Sequence, residues 1–457
     1  MKILQNQIYC VIPFYFTTPF AGEMPQPWVK DTPAFDTDAM YPFMHAGSSA
    51  NSIYRLDLDA NPDLRKFFSQ TSLLMPDGQL AVNLPADKKN WLTPRLVVSA
   101  SGEVGLLSIP MTVGGGREVE ADTVRDFVNR IQKYDSHQVP VFAYRTKGDI
   151  TTAQDRRDAS LGLCHKGQPH TWTIATLSEL LLRPVRDAIC MFKPYRAHVL
   201  TDILADSPAD PSYTIGDDEA RLLLRLMHCQ NGRYHVDLDK MADGTVMRTF
   251  ENIYIGVAVE GACMMRILRH DDSDSFLLGY GKGTFQTRFL WMYIGALIQR
   301  HTLLNIDRVM AHEAGRLTTP DSSTADSFRR SVAGVCSMRL SGAFSSISAY
   351  SHINAQYRFF MRNLGVTALY SELDDKLKAV NTWLKLNDSA EREHFEYVMQ
   401  TGGVILAILA LVYGIPQAIT AMHDTWRDSL WSWTGISLLP AIIGMVWLIL
   451  IMKRPRQ

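Results

Sequence analysis

An acidic segment in the second half of the chain carries side chains that could bind a metal ion. Asp271, Asp272 and Asp274 follow His270 closely. Carboxylate oxygens are the ligands that Ca²⁺ and Mg²⁺ prefer, so a divalent cation is the one cofactor for which the sequence offers ligands. The segment lacks the glycine and the distal glutamate of an EF-hand loop. A solvated loop is therefore the alternative interpretation, and no cofactor is certain.

Basic residues at two places offer contacts to an anion. The stretch GYGKG, Gly279–Gly283, resembles a loop that holds phosphate through backbone N–H groups, with Lys282 near its centre. It matches neither the P-loop nor the dinucleotide-binding pattern, and an ordinary turn before a helix at Phe285 is the alternative. A second basic group could bind an anion or lie on a solvated surface. The candidate ligand-binding residues are Arg145, Lys147, Arg156, Arg157 and Lys282.

Composition argues against several classes of function. The six cysteines are scattered without a CxxC pair, which is typical of reduced thiols rather than a disulfide framework. The formal net charge of −1 gives no basic excess for nucleic acid. No nucleophile with a neighbouring base is recognisable, so we predict no catalytic residues and do not expect an enzyme.

The elements that must position these residues alternate along the first 260 residues, which predicts an α/β or α+β body. An apolar stretch at Ile8–Phe16, broken by Pro13, predicts a first strand rather than a secretion signal. Further strands are predicted at Leu96–Ala100 and Val104–Met111 (a hairpin), Val139–Tyr144, Arg196–Leu200 and Ile253–Glu260, and helices at Thr123–Tyr134, Leu177–Cys190 and Asp218–Cys229.

Two long apolar runs occupy the end of the chain. No charged residue occurs in Val398–Met422 or in Ser429–Met452. About 20 helical residues span a bilayer, so both runs predict transmembrane helices joined as a hairpin. The basic tail after Met452 favours a cytosolic C-terminus. With two spans, the N-terminal body is expected to be cytosolic too, attached to the inner membrane.

A heptad pattern precedes the first apolar run. Its apolar positions are Val366, Tyr370, Leu373, Leu377, Val380 and Leu384. We predict a helix from about Asn354 to Ile415 that forms a stalk in a homo-oligomer, and a helix of an intramolecular bundle is the alternative. Thr287–Leu304 has too short an uncharged stretch to span a membrane and predicts a buried helix.

The predicted domains follow from these patterns. Residues 1–285 form a cytosolic α/β sensor domain, residues 286–397 a helical stalk region, and residues 398–457 a transmembrane hairpin with a basic cytosolic tail.

The order of body, stalk helix, two C-terminal spans and basic tail resembles the CorA-type metal-ion transporter superfamily. In that family five subunits surround one pore, and a Gly-Met-Asn motif after a tyrosine binds hydrated magnesium. Tyr413 and Gly414 match, whereas Pro416 stands at the asparagine position and has no side-chain amide. The resemblance implies a pentamer and a helix end at Gly414–Pro416. The implied pore-lining residues are Gln400, Thr401, Val404, Ala407, Leu411, Tyr413, Gly414, Ile415, Pro416 and Gln417.

Three functions stay open. The resemblance implies an oligomeric ion channel opened by a signal on its large cytosolic domain, and divergent members of the superfamily are gated by nucleotide messengers in bacterial antiviral defence. The second is a divalent cation transporter of the magnesium type. The third is a non-conducting, membrane-anchored sensor.

Overall fold

The computed structural model describes most of the N-terminal body and the long helices. The described residues are 1–31, 51–57, 71–74, 81–83, 93–114, 117–133, 142–146, 171–172, 174–193, 196–206, 215–241, 243–268, 270, 274–314, 322–342 and 346–421. The chain forms two compact units: Met1–Arg308 with Ala333–Ser371, and Val309–Val332 with Glu372–Gln457. The predicted domain boundaries at residues 285 and 397 are based on expected roles, whereas these two units are based on compactness. The predicted domains therefore stay a prediction.

The first unit contains a large mixed sheet. Its strands are β1 (Lys2–Phe16), β2 (Trp28–Lys30), β3 (Ser52–Leu56), β4 (Thr71–Leu74), β5 (Ala81–Asn83), β6 (Arg95–Val98), β7 (Val104–Val113), β8 (Val119–Glu120), β9 (Phe142–Thr146), β10 (Thr171–Trp172), β11 (Ile189–Met191), β12 (His198–Asp206), β13 (Val246–Phe250), β14 (Ile253–Val257) and β15 (Gly261–Leu268). The main order is β10-β9-β4-β5-β7-β1-β12-β15-β14-β13. A branch of β2, β3 and β6 leaves from β7, and β8 and β11 pair with β1. Among the described strands, only β12 and β15 pair in parallel.

Strand β1 is the centre of this sheet. It pairs with β7 on one side and with β12 on the other, both antiparallel. Its residues from Ile8 to Phe14 are buried, which explains the continuous apolar pattern, since a strand covered on both faces loses the polar alternation. The predicted first strand and the predicted β6–β7 hairpin are confirmed.

Helices cover both faces of the sheet in the first unit. The helices of the whole chain, which continue into the second unit at α5, α6 and α8, are α1 (Ala121–Gln132), α2 (Ile174–Leu182), α3 (Asp217–Met227), α4 (Asp274–Tyr280), a π-helix (Gly281–Phe289), α5 (Leu290–Ala314), α6 (Ser322–Gly342), α7 (Ser351–Asn363) and α8 (Val366–Ala421) among the described residues. On one face α1 packs against β1 and β12, and α3 packs against β12, β14 and β15. On the other, Phe285 of the π-helix lies 5.9 Å from the ring of Tyr9. The mixed α/β class is thus confirmed, as is the buried helix at Thr287–Leu304.

The glycine-rich stretch Gly279–Gly283 is helical, and here both sequence interpretations are wrong. It forms the end of α4 and the start of the π-helix, with no turn between them. Helical backbone N–H groups bond to preceding carbonyls, so this backbone offers no cradle for phosphate. Burial of Phe285 and Phe289, at 0% and 1% exposure, outweighs the low helix propensity of the glycines.

The long helix differs from its prediction at both ends. Gly365, with a φ of +71°, separates α7 from α8, so the predicted continuous helix from Asn354 is interrupted. At the other end α8 continues through Gly414 and Pro416 to Ala421, so the expected helix end at these residues is wrong. A proline removes one helical hydrogen bond, and the neighbouring turns can still hold the helix together.

Candidate functional site

Helix α8 is the longest element among the described residues. Its 56 residues correspond to about 84 Å at 1.5 Å per residue. Charged residues occur along its first part, where Glu372 pairs with Lys376 at 2.7 Å and Asp375 with Lys378 at 2.9 Å. From Val398 to the end of α8 the sequence carries no charge. One unbroken helix therefore joins the folded body to the first apolar run.

The predicted membrane segments are described only in part. Among the described residues, no helix is both long and apolar enough to cross a membrane. The side chains of α8 are described for residues 366–385 and 396–403, and the second run Ser429–Met452 lies outside the described residues. Of the predicted pore-lining residues, Gln400 and Thr401 are exposed on α8. The others lie on the same helix with backbone alone described, and their role stays a prediction.

The heptad positions of α8 differ in burial. Val366, Leu373 and Leu384 are buried within one chain, at 0%, 1% and 7% exposure. Leu377 and Val380 are half-buried. The two ends of the predicted stalk seam thus pack in their own subunit, and the middle keeps apolar surface for another partner.

Contacts within each unit explain this burial. In the first unit the Tyr370 hydroxyl donates to Gln299 Oε1 at 3.4 Å. In the second, the rings of Trp383 and Phe328 lie 5.7 Å apart, edge to face. The intramolecular bundle and the stalk are therefore compatible, because each uses different positions of one helix.

A pair of buried histidines lies between the sheet and α5. His198 Nε2 and His301 Nε2 are 2.8 Å apart, and His198 Nδ1 bonds to the carbonyl of Val259 at 2.9 Å. Burial lowers the pKa of His198 to about 4, and Arg300 adds to the effect. Burial also lowers the pKa of His301. Both rings are neutral at pH 7, so the pair stabilises a dry interface.

A buried ion pair joins the parallel strands β12 and β15. Arg266 donates from Nε and Nη2 to the two carboxylate oxygens of Asp202, at 3.0 and 2.8 Å. Both side chains are 1% exposed. Arg266 Nη1 also donates to the carbonyl of Leu277 in α4 at 2.6 Å. The two bonds to Asp202 hold the guanidinium group in place. The third bond, to Leu277, attaches α4 to the sheet.

An open polar cavity of about 550 Å³ lies between α1 and the loop after α3. Its central cation, Arg125, is held by Asp122 and by Asp126 at 3.0 Å. A Cβ on Gly232 would meet this guanidinium at 2.7 Å, so the glycine lets the loop lie against Arg125. With its central charge balanced, the cavity is ordinary solvated surface.

The other predicted site residues are not brought together in the described structure. Arg145 lies on β9 with only its backbone described, Lys282 lies in the π-helix, and Asp274 begins α4. Asp271, Asp272, Lys147, Arg156 and Arg157 lie outside the described residues. The described part of the chain contains no group of three or more His, Cys, Asp or Glu residues that could hold a metal ion.

Sequence reasoning missed a polar row on the face of the sheet that carries Tyr9. Arg55 on β3 lies opposite Arg95 on β6, and Arg95 lies opposite Ser108 on β7. Asp31 accepts from Arg95 Nε at 2.8 Å and lies 3.8 Å from Arg55 Nε. We call Tyr9, Asp31, Arg55, Arg95 and Ser108 the arginine row. Strand alternation alone gave no signal, because the row depends on register across four strands.

Comparison with known proteins finds a weak similarity to a solved structure. No family model matches the chain, and no curated protein matches its sequence. The complete structure of the CorA magnesium transporter from Methanocaldococcus jannaschii matches 59% of this chain and 96% of that chain, with 10% identity and a TM-score of 0.20. A TM-score this low does not establish a shared fold, so nothing about the activity or the assembly of this chain rests on it.

Proposed function

We propose that the protein is a membrane-anchored ion channel that works as a homo-oligomer and is controlled by its N-terminal α/β unit. The observation that carries the proposal is helix α8, which begins in the folded body and continues unbroken into an uncharged run. A rigid helix of this length can transmit a movement of the body to a membrane segment. The second uncharged run supplies the return span of a hairpin.

Oligomerisation is part of the proposal because a single helical hairpin cannot enclose a water-filled path. Leu377 and Val380 keep apolar surface in the middle of the α8 seam. Tyr397 and Met399, just before the uncharged run, are 67% and 53% exposed. Contacts with neighbouring subunits would cover Leu377 and Val380. The membrane interface suits Tyr397, since tyrosine is enriched there. A pentamer is the specific form that the sequence resemblance to the CorA-type superfamily implies.

The proposed membrane is the inner membrane, with both termini in the cytosol. The charge difference between the basic tail after Met452 and the connector, which carries one arginine and two aspartates, supports this orientation. Tagged cysteines in the connector and in the tail, labelled from either side of intact spheroplasts, test it directly. Labelling of the tail from outside would reverse the orientation.

The transported ion separates the first two functions. In the channel, Pro416 replaces an amide that would hold a hydrated divalent ion, which favours weak ion selectivity. The full chain is reconstituted into liposomes with reporters for Mg²⁺ and for K⁺ flux, with and without cyclic and linear nucleotides. Flux of both ions that rises with a ligand supports the channel. Flux of Mg²⁺ alone supports the divalent transporter, and no flux at all supports the non-conducting sensor.

The oligomer is tested by charge substitutions in the seam. Leu377→Asp and Val380→Asp place carboxylates on its half-buried positions, and we expect loss of the assembly and of the flux. Ala379→Asp is the matched control, because Ala379 is exposed on the same helix turn. Native mass spectrometry in detergent measures the subunit number. A single subunit in the unsubstituted protein, or equal effects of all three variants, would contradict the proposal.

A further inference from the structure

The arginine row holds more hydrogen-bond donors than the surrounding protein uses. Tyr9 Oη, Ser108 Oγ and Arg55 Nη1 are buried and have no hydrogen-bond partner among the described residues. Thr93 Oγ1, two residues before Arg95 in the sequence, is also buried without a hydrogen-bond partner among the described residues. Tyr9, Ser108 and Thr93 are each 1% exposed. Buried polar atoms nearly always have a partner, so such a group calls for a bound molecule.

The strand register places these donors side by side. Residues directly opposite each other in antiparallel strands lie on one face, which aligns Arg55, Arg95 and Ser108 on three neighbouring strands. Ser108 also lies opposite Val11 of β1, and Tyr9, two residues away, points to the same face. The donors therefore lie on one face of four adjacent strands, with Arg95 and Ser108 in the middle.

The charge of the row favours an anion. Asp31 pairs closely with Arg95 Nε at 2.8 Å and lies 3.8 Å from Arg55 Nε, so the guanidinium group of Arg55 is the less tightly paired of the two. Arginine keeps its proton in proteins. Burial raises the pKa of Tyr9, and the charge of Arg95 offsets that rise only in part, so the phenol stays a neutral donor. Water alone would satisfy donors without balancing the charge.

The row is more exposed at one end than at the other. The side chains of Arg55 and Asp31 are 25% and 15% exposed, whereas Arg95 is 2% exposed. Exposure falls from the β3 end towards Ser108 and Tyr9. Arg55 is therefore the arginine of the row that solvent reaches most easily.

We infer that the arginine row is a binding site for a small oxyanion, either free or as the anionic group of a larger ligand. Two guanidinium groups and two hydroxyls match the oxygens of a phosphate, sulfate or carboxylate. The side chain of Arg55 would meet the anion at the more exposed end, and Ser108 and Tyr9 would donate from the buried end. The inference goes beyond the proposed channel and does not depend on ion conduction.

Binding is measured on the full chain in detergent at constant ionic strength. Inorganic phosphate, sulfate and acetate are titrated by isothermal calorimetry against a chloride background, and phenyl phosphate tests for a larger ligand. We expect saturable binding of at least one oxyanion. Phenyl phosphate that binds as tightly as phosphate identifies the group of a larger ligand, and weaker binding of phenyl phosphate identifies the free ion.

Substitutions locate the site. Tyr9→Phe and Ser108→Ala each remove one hydroxyl and should weaken binding about three- to tenfold, and Arg55→Gln about tenfold or more. Thr201→Val is the matched control, because the Thr201 hydroxyl is equally buried and without a partner among the described residues but lies on the opposite face of the sheet. Absence of oxyanion binding by the folded protein, or equal affinity in all four variants, would overturn the inference and leave ordered water as the occupant.

Discussion

His198 and His301 face each other through their Nε2 atoms at 2.8 Å, although 103 residues separate them in the chain. The carbonyl of Val259 can only accept a hydrogen bond, so His198 Nδ1 carries a proton. A neutral His198 then accepts at Nε2, and His301 donates. His301 Nδ1 is buried and has no partner among the described residues. A further proton on either ring would place a charge in a buried site without a partner to stabilise it among the described residues.

This geometry predicts that acid destabilises the body. The pKa of His198 is lowered from 6.5 to about 4 in the folded protein, so the unfolded chain binds more protons between these values. Unfolding is therefore favoured as the pH falls from about 6.5 towards 4. His198 alone contributes about 3 kcal/mol to this loss, at 1.36 kcal/mol per pKa unit. The measurement is the free energy of unfolding by urea as a function of pH.

Variants separate the pair from other acid effects. His198→Gln removes a titrating ring and should flatten the slope of stability against pH between 6.5 and 4, even if the protein becomes less stable overall. His235→Gln is the control, because His235 is exposed and its loss should leave the slope unchanged. A slope that is the same in all three proteins would show that His198 is solvated.

The buried ion pair gives a second prediction. Asp202→Ala leaves Arg266 charged at 1% exposure without its carboxylate, and we expect a loss of about 3–5 kcal/mol of unfolding free energy. The double variant Asp202→Leu, Arg266→Met should be close to neutral, because no charge remains buried. Chemical denaturation of both variants checks this. A double variant as unstable as Asp202→Ala would instead locate the effect in the lost contact with Leu277.

Local patterns predicted much of the fold. The apolar stretch Ile8–Phe16, the β6–β7 hairpin and the helix near Val124 follow from residues close in sequence. These elements could be predicted because hydrophobic periodicity and turn signals depend on only a few neighbouring residues. The same reasoning found the helix that leads towards the apolar run.

Long-range register could not be predicted in the same way. Asp202 and Arg266 meet because β12 and β15 pair in parallel with Leu204 beside Arg266. Arg55 and Arg95 meet through a similar alignment. A shift of one residue in either pairing would send these side chains to opposite faces. The candidate site is therefore a product of tertiary structure, and its residues look like unremarkable strand positions in the sequence.

The junction between α7 and α8 depends on Gly365. Its φ of +71° is the left-handed region that favours glycine. Gly365→Ala should lower the free energy of unfolding by about 1–2 kcal/mol. Gly334→Ala is the matched control inside α6, where a Cβ would make an ordinary 3.6 Å contact with Ile306 and should add about 0.5–1 kcal/mol. Thermal unfolding measures both. Equal shifts of the two variants would contradict the junction geometry.

Cysteine exposure provides a direct check of the sheet core. Cys10, Cys229 and Cys263 are buried, Cys190 is half-buried and Cys336 is exposed. Burial raises the pKa of the first three thiols, and the thiolate is the reactive form. At pH 7.5 N-ethylmaleimide should modify Cys336 quickly and the three buried thiols only after denaturation, as followed by peptide mass spectrometry. Cys336→Ser should remove the fast phase among the described cysteines. Modification of Cys10 or Cys263 in the native protein at the rate of Cys336 would contradict the packing of α1 on β1 and of α3 on β15.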